Sequence, residues 1–181
     1  MSVPTDLDRR FREAAAAEGL LDAAYDLVDS PVGTLLLAAT GRGLCRISFT
    51  LDVDELAAAV GPRVLRVPSQ LAEARRQLEE YFAGSRHEFD LPVDLRVPAF
   101  QHDVLLELAR VPYGELSTYG ELARRIGRPR AARAVGGALN RNPVPIVLPC
   151  HRVVGATGAL VGYGGGLERK RTLLALERAA A

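Results

Sequence analysis

Three prolines fall within seven residues, at Pro143, Pro145 and Pro149, and Cys150 and His151 follow at once. Proline has no backbone N–H, fixes its own φ and pushes the preceding residue toward extended backbone. Residues 142–149 are therefore excluded from helix and from the middle of a sheet. They form an extended connection that delivers Cys150 to a defined place.

The residues before it read as two short helices. Thr118–Ile126 opens on a capping box, with Thr118 and Glu121 three residues apart so that each satisfies an orphan amide. Gly127 ends this helix, and Pro129 suits the first turn of a second, running to about Asn140. Two short helices joined by a tight glycine-containing turn make a helix-turn-helix pattern. Seven arginines lie between Leu116 and Arg152 (Arg124, Arg125, Arg128, Arg130, Arg133, Arg141 and Arg152), opposed only by Glu121. The second helix carries Gly136 and Gly137 in its interior, and each costs about 1 kcal/mol relative to alanine. Packing inside the protein or close approach to a DNA backbone would each account for them. With Arg133 as its one long side chain past Arg130, this helix offers little contact to base edges, so backbone and shape recognition is expected.

Upstream, Tyr25–Asp29, Thr34–Ala39 and Leu44–Phe49 are short apolar or alternating runs punctuated by Pro31, Gly33, Gly41 and Gly43, which predicts an antiparallel meander. Asp52–Val60 and Ser69–Phe82 read as helices. The second has Ser69 as N-cap, Leu71, Ala74, Leu78 and Phe82 as its apolar stripe, and Gly84 past its end. Ser85–Pro98 reads as a linker, Pro98–Arg110 as a further helix and Leu167–Ala179 as the last. Charge divides the chain near the same place. Residues 1–91 hold 10 Arg against 15 Asp and Glu, whereas residues 92–181 hold 12 Arg and one Lys against 7. The expected domains are 1–91 and 92–181. The basic second half suits a polyanion partner, although an arginine-rich composition alone would also give the asymmetry.

Two cysteines, Cys45 and Cys150, cannot build a disulfide framework or a four-cysteine zinc site. Cys45 shares a strand face with Ile47 and Phe49 and reads as core. His87 and His102 give no argument for a metal, so neither metal nor cofactor is expected. No apolar run approaches a membrane span, and residues 1–8 lack the charged-then-apolar pattern of a secretory leader. The expected setting is the reducing cytoplasm.

Cys150 beside His151, close to many arginines, is a candidate low-pKa nucleophile, a positive field favouring the thiolate. Neighbours in an extended chain point to opposite sides, so His151 needs a bend or a bridging water to reach the sulfur. A buried structural cysteine is the alternative. Glu177 lies three and four residues past Leu174 and Leu173, on an apolar helix face, where a carboxylate needs a partner. His151 fits, and an exposed terminal glutamate is the other reading. Gly162-Tyr163-Gly164-Gly165-Gly166 reads as a mobile loop that allows close backbone approach to a ligand. No Gly-Lys-Ser/Thr follows it, so it is no phosphate loop. Tyr119 and Tyr163 can stack on, or hydrogen-bond to, a base.

Tyr119, Arg133–Ala138, Asn142–Pro145, Pro149–Val154 and Tyr163-x-Gly-Gly-Leu167, at this spacing, resemble the O6-alkylguanine-DNA alkyltransferases, closely over residues 98–178 and more loosely over the first half. The resemblance implies an α+β chain: a small antiparallel-sheet, RNase H-like N-terminal domain, then a helical winged helix-turn-helix domain. It implies alkyl transfer from a flipped O6-alkylguanine, and from O4-alkylthymine, in double-stranded DNA bound at its minor groove, by a monomer used once. Cys150 would accept the alkyl group, with His151 as base through a water and Glu177 orienting it. Tyr119 would assist the leaving guanine, and Asn142 would be the hinge to the recognition helix. Arg133 would fill the vacated stack, with Ala132, Ala134, Gly136 and Arg141 beside it on the DNA. Pro145, Val153, Tyr163 and Gly164 would form the base pocket. Gly164 departs from the serine common in such proteins, and Leu105 from a tryptophan. The competing readings are a recognition protein that binds alkylated DNA without transfer, a cysteine hydrolase, and an alkylation-sensing regulator. Cys150 argues against the first, the unused basic helices against the second, and the absence of further metal-binding cysteines against the third.

Overall fold

A computed structural model describes residues 5–179, which fall into two compact units: residues 5–80 with 90–94, and residues 81–89 with 95–179.

In the first unit, β1 (Ala23–Val28), β2 (Leu35–Thr40) and β3 (Gly43–Ser48) form the antiparallel meander that the glycine and proline punctuation predicts. The sheet is nevertheless mixed. A three-residue strand, β4 (Val64–Arg66), pairs in parallel with β1 and gives the order β3-β2-β1-β4. Leu36, Ala38, Cys45 and Leu56 make a buried cluster, which places Cys45 in the core as its strand position indicates. Leu56 comes from α2 (Val53–Val60), capped by the Asp52 side chain on the Glu55 amide. Helix α1 (Thr5–Ala17) precedes the sheet and contains the alanine run.

Ser69 does not cap the next helix. Pro68–Leu71 is a 3-10 turn with proline at its first position, and α3 (Ala72–Phe82) continues from it. The buried stripe of α3 also ends differently: Tyr81, three residues past Leu78, is fully buried, whereas Phe82 is only partly so.

Part of the expected linker is built into the first unit. Leu44 donates its amide to the Pro92 carbonyl at 2.8 Å and accepts from the Asp94 amide at 2.9 Å. Gly43 makes this possible: its φ is 134°, and a Cβ there would lie 2.3 Å from the Pro92 oxygen.

The second unit packs α4 (Ala99–Leu108) against α5 (Tyr119–Arg125) and α6 (Ala132–Asn140). Both halves of the Thr118–Glu121 capping box are made. Helix α6 begins at Ala132, so Pro129 lies in the turn before it instead of in its first turn. Buried Gln101 of α4 donates to the carbonyls of Ala138 and Arg141, which anchors the C-terminal end of α6. β5 (Ser117–Thr118) pairs in parallel with β6 (Val153–Val154), and α7 (Leu167–Ala179) packs on the turn at residues 150–152. Among the described residues no helix is long and apolar enough to cross a membrane.

Candidate active site

The proline-rich segment is pinned by one side chain. Asn142 accepts the Val144 amide at 3.1 Å and donates to the Leu148 carbonyl at 2.8 Å and to Cys150 Sγ at 3.2 Å. Within this loop Ile146 is fully buried at φ 76°. A β-branched residue there carries backbone strain, of order 1–3 kcal/mol, which the surrounding packing sustains.

The chain then bends. Cys150–Arg152 is a 3-10 turn, so Cys150 and His151 are not related as neighbours on an extended strand. His151 is fully buried, with Nε2 2.7 Å from Glu177 Oε1. Its Nδ1 has no hydrogen-bond partner among the described residues. Burial lowers the His151 pKa, which leaves the ring neutral at physiological pH. Burial acts in the other direction on Glu177, but hydrogen bonds from His151 and Arg152 outweigh it and hold the carboxyl at about 2. An ionised carboxylate only accepts, so His151 Nε2 carries the proton and Nδ1 presents a lone pair.

Cys150 is buried, and burial pushes its thiol up to about 11 despite the opposing effects of Asn142 and Lys170. The low-pKa thiolate expected from the nearby arginines is thus not the resting state: desolvation outweighs the positive surroundings. The sulfur rests as a thiol and needs a base.

Arg152, one of the seven arginines counted around the helix pair, faces the interior. It is buried, with Nε 3.0 Å from Glu177 Oε2, Nη2 2.9 Å from Oε1 and Nη1 donating to the Val111 carbonyl at 2.7 Å. Tyr81 donates its hydroxyl to Oε1 at 2.8 Å, and the Gly114 amide reaches Oε2 at 3.1 Å. Fully buried Lys170 donates to the Val153 carbonyl. Sequence reasoning missed Tyr81, Arg152 and Lys170. Only Tyr81 left a signal, its three-residue spacing from Leu78.

Cys150 lines a cavity of about 360 Å³ together with Tyr119, Gly136, Gly137, Tyr163 and Gly164. Pro145 and Val153 are buried and do not line it. Tyr119 donates to the Val161 carbonyl at 2.9 Å, and Arg169 holds the Gly165 carbonyl at 2.8 Å, so the glycine loop is tied at two points. A Cβ on Gly136 would meet only the Tyr119 ring at 3.7 Å, and one on Gly137 only Arg141 at 3.8 Å. These are ordinary contacts, so tight packing within the protein does not account for the two glycines. Ala132, Arg133 and Gly136 line an adjoining groove with Tyr119 and Ala156. Arg133, Ala134 and Arg141 are exposed. Among the described residues no group of three or more His, Cys, Asp or Glu side chains is placed to hold a metal ion.

A buried cysteine opening on a pocket, backed by an imidazole–carboxylate pair and flanked by a basic helix pair, marks a cysteine-dependent protein of the DNA-acting class. Comparison with known proteins narrows the class. Residues 99–179 match the family model for the 6-O-methylguanine DNA methyltransferase DNA-binding domain, and residues 23–95 match the ribonuclease-like domain of the same family. A methylated-DNA–protein-cysteine methyltransferase of Mycolicibacterium paratuberculosis is 50% identical over 85% of this chain and 92% of its own. One from Methanosarcina barkeri is 43% identical over 84% and 96%. The crystal structure of Mycobacterium tuberculosis OGT in complex with DNA superposes with TM-score 0.80 at 45% identity, covering 87% of this chain and 94% of that one. The chain belongs to the 6-O-methylguanine DNA methyltransferase family. The expected α+β fold, a small-sheet unit and a helical DNA-binding unit, is borne out, with the sheet mixed and not purely antiparallel.

Proposed function

We propose that this chain repairs DNA by direct reversal, moving the alkyl group of O6-alkylguanine, and of O4-alkylthymine, irreversibly onto Cys150. The observation that carries the reading is Cys150 Sγ in the wall of the cavity, with neutral His151 and ionised Glu177 behind it. An alkylated base inside a duplex is stacked and out of reach of a buried sulfur, so the nucleotide is extruded into the cavity. Exposed Arg133 fills the space it leaves, while Ala132, Ala134, Gly136 and Arg141 lie along the minor groove. Tyr163 and Gly164, which line the cavity, receive the base.

The thiol proton passes through a water to His151 Nδ1, and Glu177 stabilises the imidazolium. The sulfur attacks the alkyl carbon, the bond from that carbon to O6 breaks, and guanine departs as an anion whose N3 accepts a hydrogen bond from Tyr119, until the proton held by His151 returns through water to neutralise it. Asn142 holds the sulfur in line and joins α6 to the cysteine turn. The product is a thioether with no route back to thiol, so each protein acts once. It works as a cytoplasmic monomer without metal or cofactor.

The competing reading, recognition of alkylated DNA without transfer, is separated by intact mass. After incubation with duplex carrying O6-methylguanine, the chain should gain one methyl, and Cys150→Ala should gain none. Binding with no mass change in the unsubstituted chain would establish the competitor.

A further inference from the structure

Glu177 Oε1 accepts from three residues: His151 Nε2 at 2.7 Å, the Tyr81 hydroxyl at 2.8 Å, and Arg152 through Nη2 at 2.9 Å and Nε at 3.2 Å. Tyr81 is the last buried residue of α3 and lies 96 positions before Glu177. Its ring packs edge-on to Tyr113, with centroids 6.0 Å apart. We propose that Tyr81 is a positioning residue for alkyl transfer: by donating to the oxygen that His151 also uses, it fixes the carboxylate's orientation, and so fixes which imidazole nitrogen is left open to the thiol proton.

The assignment rests on His151 being the base. The groups facing the His151–Glu177 pair are Tyr81 from α3, Tyr113 and the Gly114 amide from the segment after α4, Cys150 and Arg152 from the turn, and Lys170 from α7. A hydroxyl that donates to a carboxylate draws its charge away from competing donors. Without the Tyr81 hydroxyl, Glu177 stabilises the imidazolium more strongly and His151 protonates at higher pH.

The test is the pH dependence of the methyl-transfer rate in the full chain, followed with duplex carrying O6-methylguanine. The rate should fall on the acid side as His151 protonates. In Tyr81→Phe that limb should move to higher pH by roughly half a unit. Tyr113→Phe removes a neighbouring hydroxyl that makes no hydrogen bond among the described residues, and should leave the limb in place. A limb that stays put in Tyr81→Phe, or moves equally in Tyr113→Phe, overturns the assignment of Tyr81 alone. A limb that persists in His151→Ala removes His151 as base and takes the proposal with it. If Tyr81→Phe does not fold, proton NMR of the unsubstituted chain decides: the resonance of the buried Tyr81 hydroxyl should shift at the His151 midpoint, and indifference to it overturns the proposal.

Discussion

Arg152 grips both oxygens of Glu177, through Nε to Oε2 at 3.0 Å and Nη2 to Oε1 at 2.9 Å, and its third nitrogen is spent on the Val111 carbonyl. An arginine one residue from His151 thus faces the interior. Removing one member of a buried pair leaves the other charge unsatisfied, so Arg152→Ala should cost roughly 3–5 kcal/mol in urea denaturation. Arg152→Lys should recover only part of this, because an ammonium cannot span both oxygens and the carbonyl. In Arg152→Lys the salt dependence of DNA binding should keep its slope, since the residue makes no phosphate contact. A shallower slope would place Arg152 on the DNA after all.

Asn142 is the second joint. Its amide closes the proline loop and touches the sulfur, so Asn142→Ala should lose roughly 1–3 kcal/mol of stability from unsatisfied buried groups. Transfer should slow by more than tenfold, because the sulfur loses a donor that stabilises its developing charge. Single-turnover kinetics on methylated duplex checks this. A full-rate Asn142→Ala would relieve the residue of any part in the reaction.

Stability should depend on pH in a set direction. His151 and Glu177 both bind protons more weakly folded than unfolded. Their contribution is complete above about pH 6.5, declines as His151 of the unfolded chain protonates, and declines further as pH drops from 4.5 toward about 2. The Glu177 part alone amounts to roughly 3 kcal/mol. Urea midpoints across this range should fall with acid, and the slope below 4.5 should flatten in Glu177→Gln. Equal acid slopes in both chains would contradict the ionised pair.

Gly164 lets the pocket loop settle against α6, since a Cβ there would lie 2.9 Å from the Asn140 carbonyl oxygen. Gly164→Ala should therefore displace the loop, cost about 1 kcal/mol in stability and slow transfer several-fold. Rate and melting temperature both equal to those of the unsubstituted chain would show that the loop accommodates the methyl freely.

The residues that were legible in the sequence are those whose structure is decided locally. The Thr118–Glu121 box sets a helix start from four residues. The three prolines force the loop before Cys150, and the apolar neighbours of Glu177 announce its burial. β4 escaped notice because three residues pairing in parallel with a distant strand leave no periodicity. Arg152 and Lys170 escaped because an arginine or lysine reads the same whether it faces solvent or a buried acceptor. Their roles depend on Glu177 and Val153, 25 and 17 residues away. The thiol's resting state is not legible for a related reason: sequence displays nearby charge but not the depth of burial that outweighs it.

Counting transfers tests the central claim most directly. A fixed amount of protein is given excess duplex carrying O6-methylguanine, and repaired guanines and modified peptides are counted together. The account predicts one guanine restored per protein molecule, with every methyl on the peptide containing Cys150 and no repair thereafter. Continued repair beyond one per molecule, or methyl on any other residue, would contradict it.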